Sequence, residues 1–305
     1  MKYPFLIALL QCFLASIGAA AQSTAMGATA ALGKALAFHA SFDNGLNADF
    51  ARGDRTLYSF SNSQQRAQGG IVGLPDDTIK ITKGSGRFGS ALLFTKKNPI
   101  KPFYKDGGNI GYNGSDWNRT VSVWLRLTPD LDLEPGYSDP LQIIGNDGNK
   151  GFIFLEFDKD TKPRHFRFAV RPLIEIWDPT RMGWTDMPYE KRPMVQVERA
   201  PFSQARWTHV VFTLEHINAK NTKPVASMYI DGELQGAITD WDLSFGWAAD
   251  SAQIAFGSSY VGFLDEVSIF DRALSTPEVR TLHQLPNGVA DLYKRDSAQP
   301  AATRK

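Results

Sequence analysis

From Ala35 onward, apolar residues come in short runs, many alternating with polar ones and separated by Gly, Pro, Asn and Asp clusters. No sustained 3.6-residue period crosses this body, so the pattern predicts many short antiparallel strands rather than helices. Strands are expected at 36–42, 79–81, 91–94, 120–127, 141–145, 151–157, 165–170, 207–215, 225–230, 253–257 and 262–270. In the run 121–127, Val121, Val123, Leu125 and Leu127 alternate with Ser122, Trp124 and Arg126, which predicts a half-buried strand with one aliphatic face. Two hairpins stand out. One spans 152–170, turning through Asp160, Lys162 and Pro163; the other turns at Asp231-Gly232, a dipeptide suited to the positive φ of the tightest turns. A single helix is expected near the end, capped by Ser275, with Pro277 in its first turn, Glu278 three residues after the cap, and Val279, Leu282 and Leu285 on one face.

The ends of the chain differ from the body. Lys2, an apolar run from Phe5 to Ile17 and small residues at Ala19 and Ala21 form the three parts of a secretory signal, expected over 1–21. The apolar run is shorter than the ~20 residues of a spanning helix, so no membrane span is expected after cleavage. A flexible leader is expected over 22–34, one folded domain over 35–286 and a polar, disordered tail over 287–305. Export makes the protein secreted or periplasmic. Its only cysteine, Cys12, lies in the signal, so stability must come from the core or a metal rather than a disulfide. With 33 Lys and Arg against 32 Asp and Glu, and no long run of either sign, the composition offers no footprint for nucleic acid.

The order of motifs carries more than any one of them. FHASFDNG (38–45), GRFGSALLF (86–94), TVSVWLRL (120–127), ARWTHVVFTL (205–214), MYIDGELQG (228–236) and VGFLDEVSIFDRALSTPEV (261–279) follow one another along the chain. This series resembles the laminin-G-like branch of the concanavalin A-like lectin and glucanase superfamily. The resemblance implies an all-β, two-sheet antiparallel jelly-roll sandwich with one short C-terminal helix. It also implies a structural Ca²⁺ held in part by Asp43, after the first strand, and Asp265, in the closing Asp-Glu strand. Calcium takes six to eight oxygens, so neighbouring loops would have to complete the shell. The other reading of the two aspartates is that they bond backbone amides.

Such folds serve lectins, adhesion modules, glucanases and lyases alike, so function has to be sought in sites. Between the first hairpin and the strand at 207 lies an insertion longer than a connection needs, bearing Trp177, Asp178, Arg181, Trp184, Asp186 and Tyr189. A second aromatic loop carries Trp241 and Trp247 beside Asp240 and Asp242. Rings that stack on a sugar and planar polar groups that bond its hydroxyls are both present, and the competing reading is that the rings cap the open ends of the sandwich. Glu156, Asp158 and Asp160 alternate as the carboxylates of a laminarinase-type glucanase would. Against that reading, Asp160 stands where that motif has Glu and falls in a hairpin turn. The histidines are dispersed, and no Gly-x-Ser-x-Gly elbow occurs. The expected function is glycan or polysaccharide binding without catalysis. The alternatives are a carbohydrate-active enzyme, a glucanase or polysaccharide lyase, and an adhesion module for a cell-surface protein.

Overall fold

A computed structural model describes residues 27–159 and 161–294. The signal expected over 1–21, the first part of the leader, Asp160 and the end of the tail lie outside them. Two antiparallel sheets face each other. The first contains β1 (Leu36–Ala40), β2 (Phe50–Ala51), β5 (Ile79–Thr82), β6 (Ala91–Phe94), β8 (Trp117–Arg126), β13 (Thr208–Ile217), β14 (Val225–Ile230), β15 (Glu233–Ile238) and β17 (Gly262–Phe270). Its order is β15-β14-β13-β8-β17-β1-β2, with β6 on β17 and β5 on β6. The second contains β3 (Tyr58–Phe60), β4 (Ile71–Val72), β7 (Lys101–Lys105), β9 (Ser138–Ile144), β10 (Phe152–Phe157), β11 (Phe166–Arg171), β12 (Met194–Val197) and β16 (Gln253–Ser258), in the order β12-β11-β10-β9-β16-β7-β3-β4. This is the expected sandwich.

Alternation builds the core. Val121, Val123 and Leu125 of β8 and Val210, Phe212 and Leu214 of β13 meet Ile153, Leu155 and Phe157 of β10 and Phe166, Phe168 and Val170 of β11. Phe168 and Phe212 stack across the sheets with ring centres 4.8 Å apart. Both expected hairpins form, and Asp231 and Gly232 take φ of 52° and 84° at the tight turn.

Helices close the outer face of the first sheet. Helix α1 (27–35), α5 (Thr276–His283) and a 3₁₀ turn at Gly288–Leu292 bury Leu32, Val279, Leu282 and Val289 against Val211, Tyr229 and Phe270. Short helices α2 (Ser63–Ala67), α3 (Pro129–Asp132) and α4 (Ile174–Trp177) sit in loops. Helix α5 is the one foreseen, and the Glu278 carboxylate accepts the Ser275 amide and hydroxyl at 2.9 and 2.8 Å. Three expectations change. The leader is helical from 27, because Leu32 finds an apolar seat. The tail begins later than 287, because Val289 docks in the same cluster. Strand β8 is buried on both faces rather than half-buried, since Trp124 lies under His283 of α5 at 5.4 Å. Among the described residues, no helix is long and apolar enough to cross a membrane.

Candidate functional site

The outer face of the second sheet holds the alternating carboxylates. With Ile153, Leu155 and Phe157 pointing inward, Phe154 and Glu156 point outward, and register sets Glu156 opposite Arg167 of β11. Arg167 Nη1 donates to Glu156 Oε1 at 2.9 Å, Nη2 donates to Asp158, and Nε donates to Gln196 Oε1 at 3.1 Å. Tyr189, from the insertion, donates its hydroxyl to Asp158, and its ring centre lies 4.7 Å from the guanidinium carbon. Glu156, Asp158 and Arg167 are all buried. Burial, reinforced by nearby Asp139, pushes the Glu156 carboxyl up to about 7 against the pull of Arg167. Burial likewise lifts Asp139 to about 6, against a hydrogen bond from Gln142. The structure thus brings Glu156 and Asp158 together but ties both to one guanidinium beneath a tyrosine, leaving neither placed to attack a substrate.

The insertion folds down onto the same face. Trp177 and Trp184 meet edge to face, 6.0 Å between centres, and pack on Phe154, Ala169 and Met187. Arg171 lies 4.7 Å from the Trp177 ring and Arg192 5.1 Å from Trp184. Asp178 is buried and accepts the amides of Met182 and Gly183, both at 2.8 Å, which shapes the loop. Arg181 pairs with Glu175 at 3.1 Å in solvent, and Asp186 is exposed. Trp177 and Trp184 are 5% and 9% exposed, so their faces are committed to a satellite core and not offered for stacking. The Tyr189 hydroxyl is likewise committed to Asp158 and Arg167.

The second aromatic loop divides. Trp247 is in the main core, 5% exposed, with its indole N–H donating to Gly151 O at 2.8 Å. Trp241 is only half-buried. It lines a cleft of about 560 Å³ with Asp240, Asp242, Lys220, Asn221 and Lys223, the last three from the turn between β13 and β14. One wall is thus an indole and, Ala219 and Pro224 aside, the rest are donors and acceptors, the chemistry of a saccharide pocket. Sequence reading missed Lys220, Asn221 and Lys223, whose only signal was membership of a polar turn.

Asp43 and Asp265 clasp the same turn. Asp43 Oδ1 accepts the Ser90 amide at 2.6 Å, and Asp265 Oδ2 accepts that of Arg87 at 2.7 Å. The glycines of GRFG make room for them: a Cβ on Gly86 would stand 2.7 Å from Asp265 Oδ2, and one on Gly89 (φ +81°) would collide with the Asp43 carboxylate. A register shift between Asp265 and Ser268 keeps Leu264 and Val267 in the core while both Asp265 and Glu266 avoid it. Glu266 has a φ of 53°. Burial, then repulsion from Glu266, raises Asp265 well above the usual carboxylate range; burial pushes Glu266 up to about 8, with Asp43 and Asp49 adding repulsion. Among the described residues, no three His, Cys, Asp or Glu side chains are arranged to hold a metal by themselves.

The family model described as the concanavalin A-like lectin/glucanases superfamily matches residues 110–280. No curated protein matches the sequence. Among solved structures, the chain is similar to domain 4 of an extracellular arabinanase from Geobacillus stearothermophilus, in complex with arabinotriose. That match has 18% identity, 82% of this chain, 98% of that chain and a TM-score of 0.50. The ligand-binding domain of botulinum neurotoxin serotype D, in complex with N-acetylneuraminic acid, matches at 13% identity over 84% of this chain and 52% of that chain, with a TM-score of 0.54. The chain therefore spans about half the length of that toxin chain. At these identities the likeness is one of fold.

Proposed function

Because the chain belongs to the concanavalin A-like lectin/glucanase superfamily, we propose that it is an exported glycan-binding module whose sugar site is the Trp241 cleft. One observation carries this reading: of the indoles in the two aromatic loops, Trp241 alone is not buried, and though it packs in part on both apolar clusters it lines a cleft with Asp240, Asp242 and Asn221. The ring would stack on the C–H side of a pyranose or furanose while Asp240, Asp242 and Asn221 bond hydroxyls. Binding is favoured over catalysis because both members of the glucanase-like pair, Glu156 and Asp158, are engaged by Arg167.

A structural Ca²⁺ at Asp43 and Asp265 is part of the same proposal. It is supported by two carboxylates at one turn and by the crowding of buried acidic groups there, which a cation would relieve. The remaining oxygens would have to be carbonyls or water, since two carboxylates alone do not complete a calcium shell. The ion would supply only charge and cross-linking.

A glycan array probed with the purified protein, with and without Trp241→Ala, tests the sugar site. Hits that vanish in the variant support it, and hits that survive place the site elsewhere. Thermal unfolding with excess Ca²⁺ or chelator tests the ion: melting should rise with Ca²⁺, and this should be lost in Asp43→Ala. An indifferent melting temperature would leave the two aspartates as backbone-bonding residues.

A further inference from the structure

The first sheet has a cleft on its outer face beside the C-terminal end of α5. Its volume is about 360 Å³, and Arg87, Trp124, Arg126, Arg206, Trp207 and His283 line it together with Asp231. The arginines are not equivalent. Arg206 is paired with Asp231, whose other oxygen accepts the His209 amide at 2.9 Å. Arg87 and Arg126 make no ion pair with a carboxylate among the described residues. Instead each lies on rings: Arg87 is 4.7 Å from the Phe88 centre and 4.8 Å from Trp124, and Arg126 is 4.9 Å from Trp207 and 4.2 Å from Phe263. Stacking holds a guanidinium by its face and leaves the N–H donors along its edge for a planar acceptor. With Asp231 already balanced by Arg206, the cleft carries two positive charges with no anion of the protein's own. The field reaches the neighbours. His209 and His283 are both lowered, chiefly by burial, and Arg87 adds to both.

We propose that this cleft is an oxyanion-binding site, taking the carboxylate or sulfate group of an acidic saccharide between the edges of Arg87 and Arg126. Two like charges fixed in one concavity by aromatic rings are a cost to the empty protein and a pre-organised receptor for an anion. The site shares no lining residue with the Trp241 cleft and does not depend on it. Where both hold, one acidic glycan chain would be gripped at two places, by stacking at one and by charge at the other.

Calorimetry at low ionic strength with inorganic sulfate and with a uronate trisaccharide as separate probes tests the site. At least one should bind, with affinity falling as NaCl is added and falling at least tenfold in both Arg87→Gln and Arg126→Gln. Sulfate has no ring to stack on an indole, so its binding reads this cleft alone and separates failure here from failure of the sugar cleft. Sulfate alone would identify a sulfate ester as the group taken, uronate alone a carboxylate, and both a general oxyanion receptor. Because Arg87 and Arg126 also pack on rings, Ala205→Glu supplies a variant that disturbs no stack: Ala205 is exposed at the rim, and a negative charge there should abolish binding. Binding of neither probe, or undiminished binding in Ala205→Glu, overturns the proposal.

Discussion

The loop at 172–193 and the loop at 239–247 look alike as sequences: each sets two tryptophans among aspartates. In the structure they part company. The first packs both indoles onto Phe154 and Ala169 and braces them with Arg171 and Arg192. The second sends Trp247 into the main core and leaves Trp241 only partly buried, against the edges of both clusters and lining a polar cleft. An outward-facing sheet surface with Phe154 on it needs a cover, and the insertion provides one. The loop at 239–247 has only the sandwich end to close, which one indole accomplishes, and the other remains available. Aromatic content alone therefore says little about binding; what an indole packs on decides it.

The sharpest way to break this contrast is to remove a packed ring. Trp184→Ala should destabilise by about 3–5 kcal/mol, read from urea unfolding, as expected when a large buried aromatic leaves a cavity. A cost under ~1 kcal/mol would mean that the insertion is not a core element. Next comes Arg167→Met, which strands Glu156 and Asp158 without their cation. Destabilisation of about 3 kcal/mol is expected at pH 8, and less at pH 5, where the Glu156 carboxyl, pushed up to about 7, takes up a proton. An equal loss at both pH values would show that packing, not charge, is what Arg167 provides.

Glu266 gives a smaller effect of opposite sign. Its folded pKa of about 8 exceeds the ordinary value of 4.5, so the folded state holds a proton that the unfolded state releases. Stability from this group is therefore present at low pH and lost as pH rises from about 4.5 through 8. Neighbouring His39, lowered by burial to about 4, works the other way, gaining stability as pH rises through about 4 to 6.5. Glu266→Gln should thus raise the unfolding free energy at pH 8 by about 1–2 kcal/mol, with the gain shrinking towards pH 5. Saturating Ca²⁺ should reduce the gain if an ion sits beside these carboxylates. A variant no more stable than the parent at pH 8 would mean that Glu266 is not held protonated by its surroundings.

Much of the architecture was legible in the chain. Strands β6, β14 and β17 fall where alternation and flanking Gly or Asp put them, and Asp231-Gly232 makes the tight turn its dihedral preference dictates. Strand β7 escaped notice because its Lys-Pro-Phe-Tyr-Lys sequence has charged ends and a proline. Strand β12 was hidden inside the insertion. Helix α1 was read as leader since its small residues show no stripe, and only the docking of Leu32 reveals it. Of the candidate site, Trp241, Asp240 and Asp242 were found and meet in one cleft. That some rings would cap the sandwich was foreseen, but which of the four indoles would be buried was not legible, because loops have no periodicity from which a buried face could be inferred.

The most direct measurement compares glycan binding and stability in two single variants, Trp241→Ala and Trp184→Ala. Trp241→Ala should lose its glycan while costing less stability than Trp184→Ala, whereas Trp184→Ala should melt far lower but bind normally at temperatures where it remains folded. Normal binding by Trp241→Ala, with loss of binding in a folded Trp184→Ala protein, would contradict this and move the sugar site to the insertion.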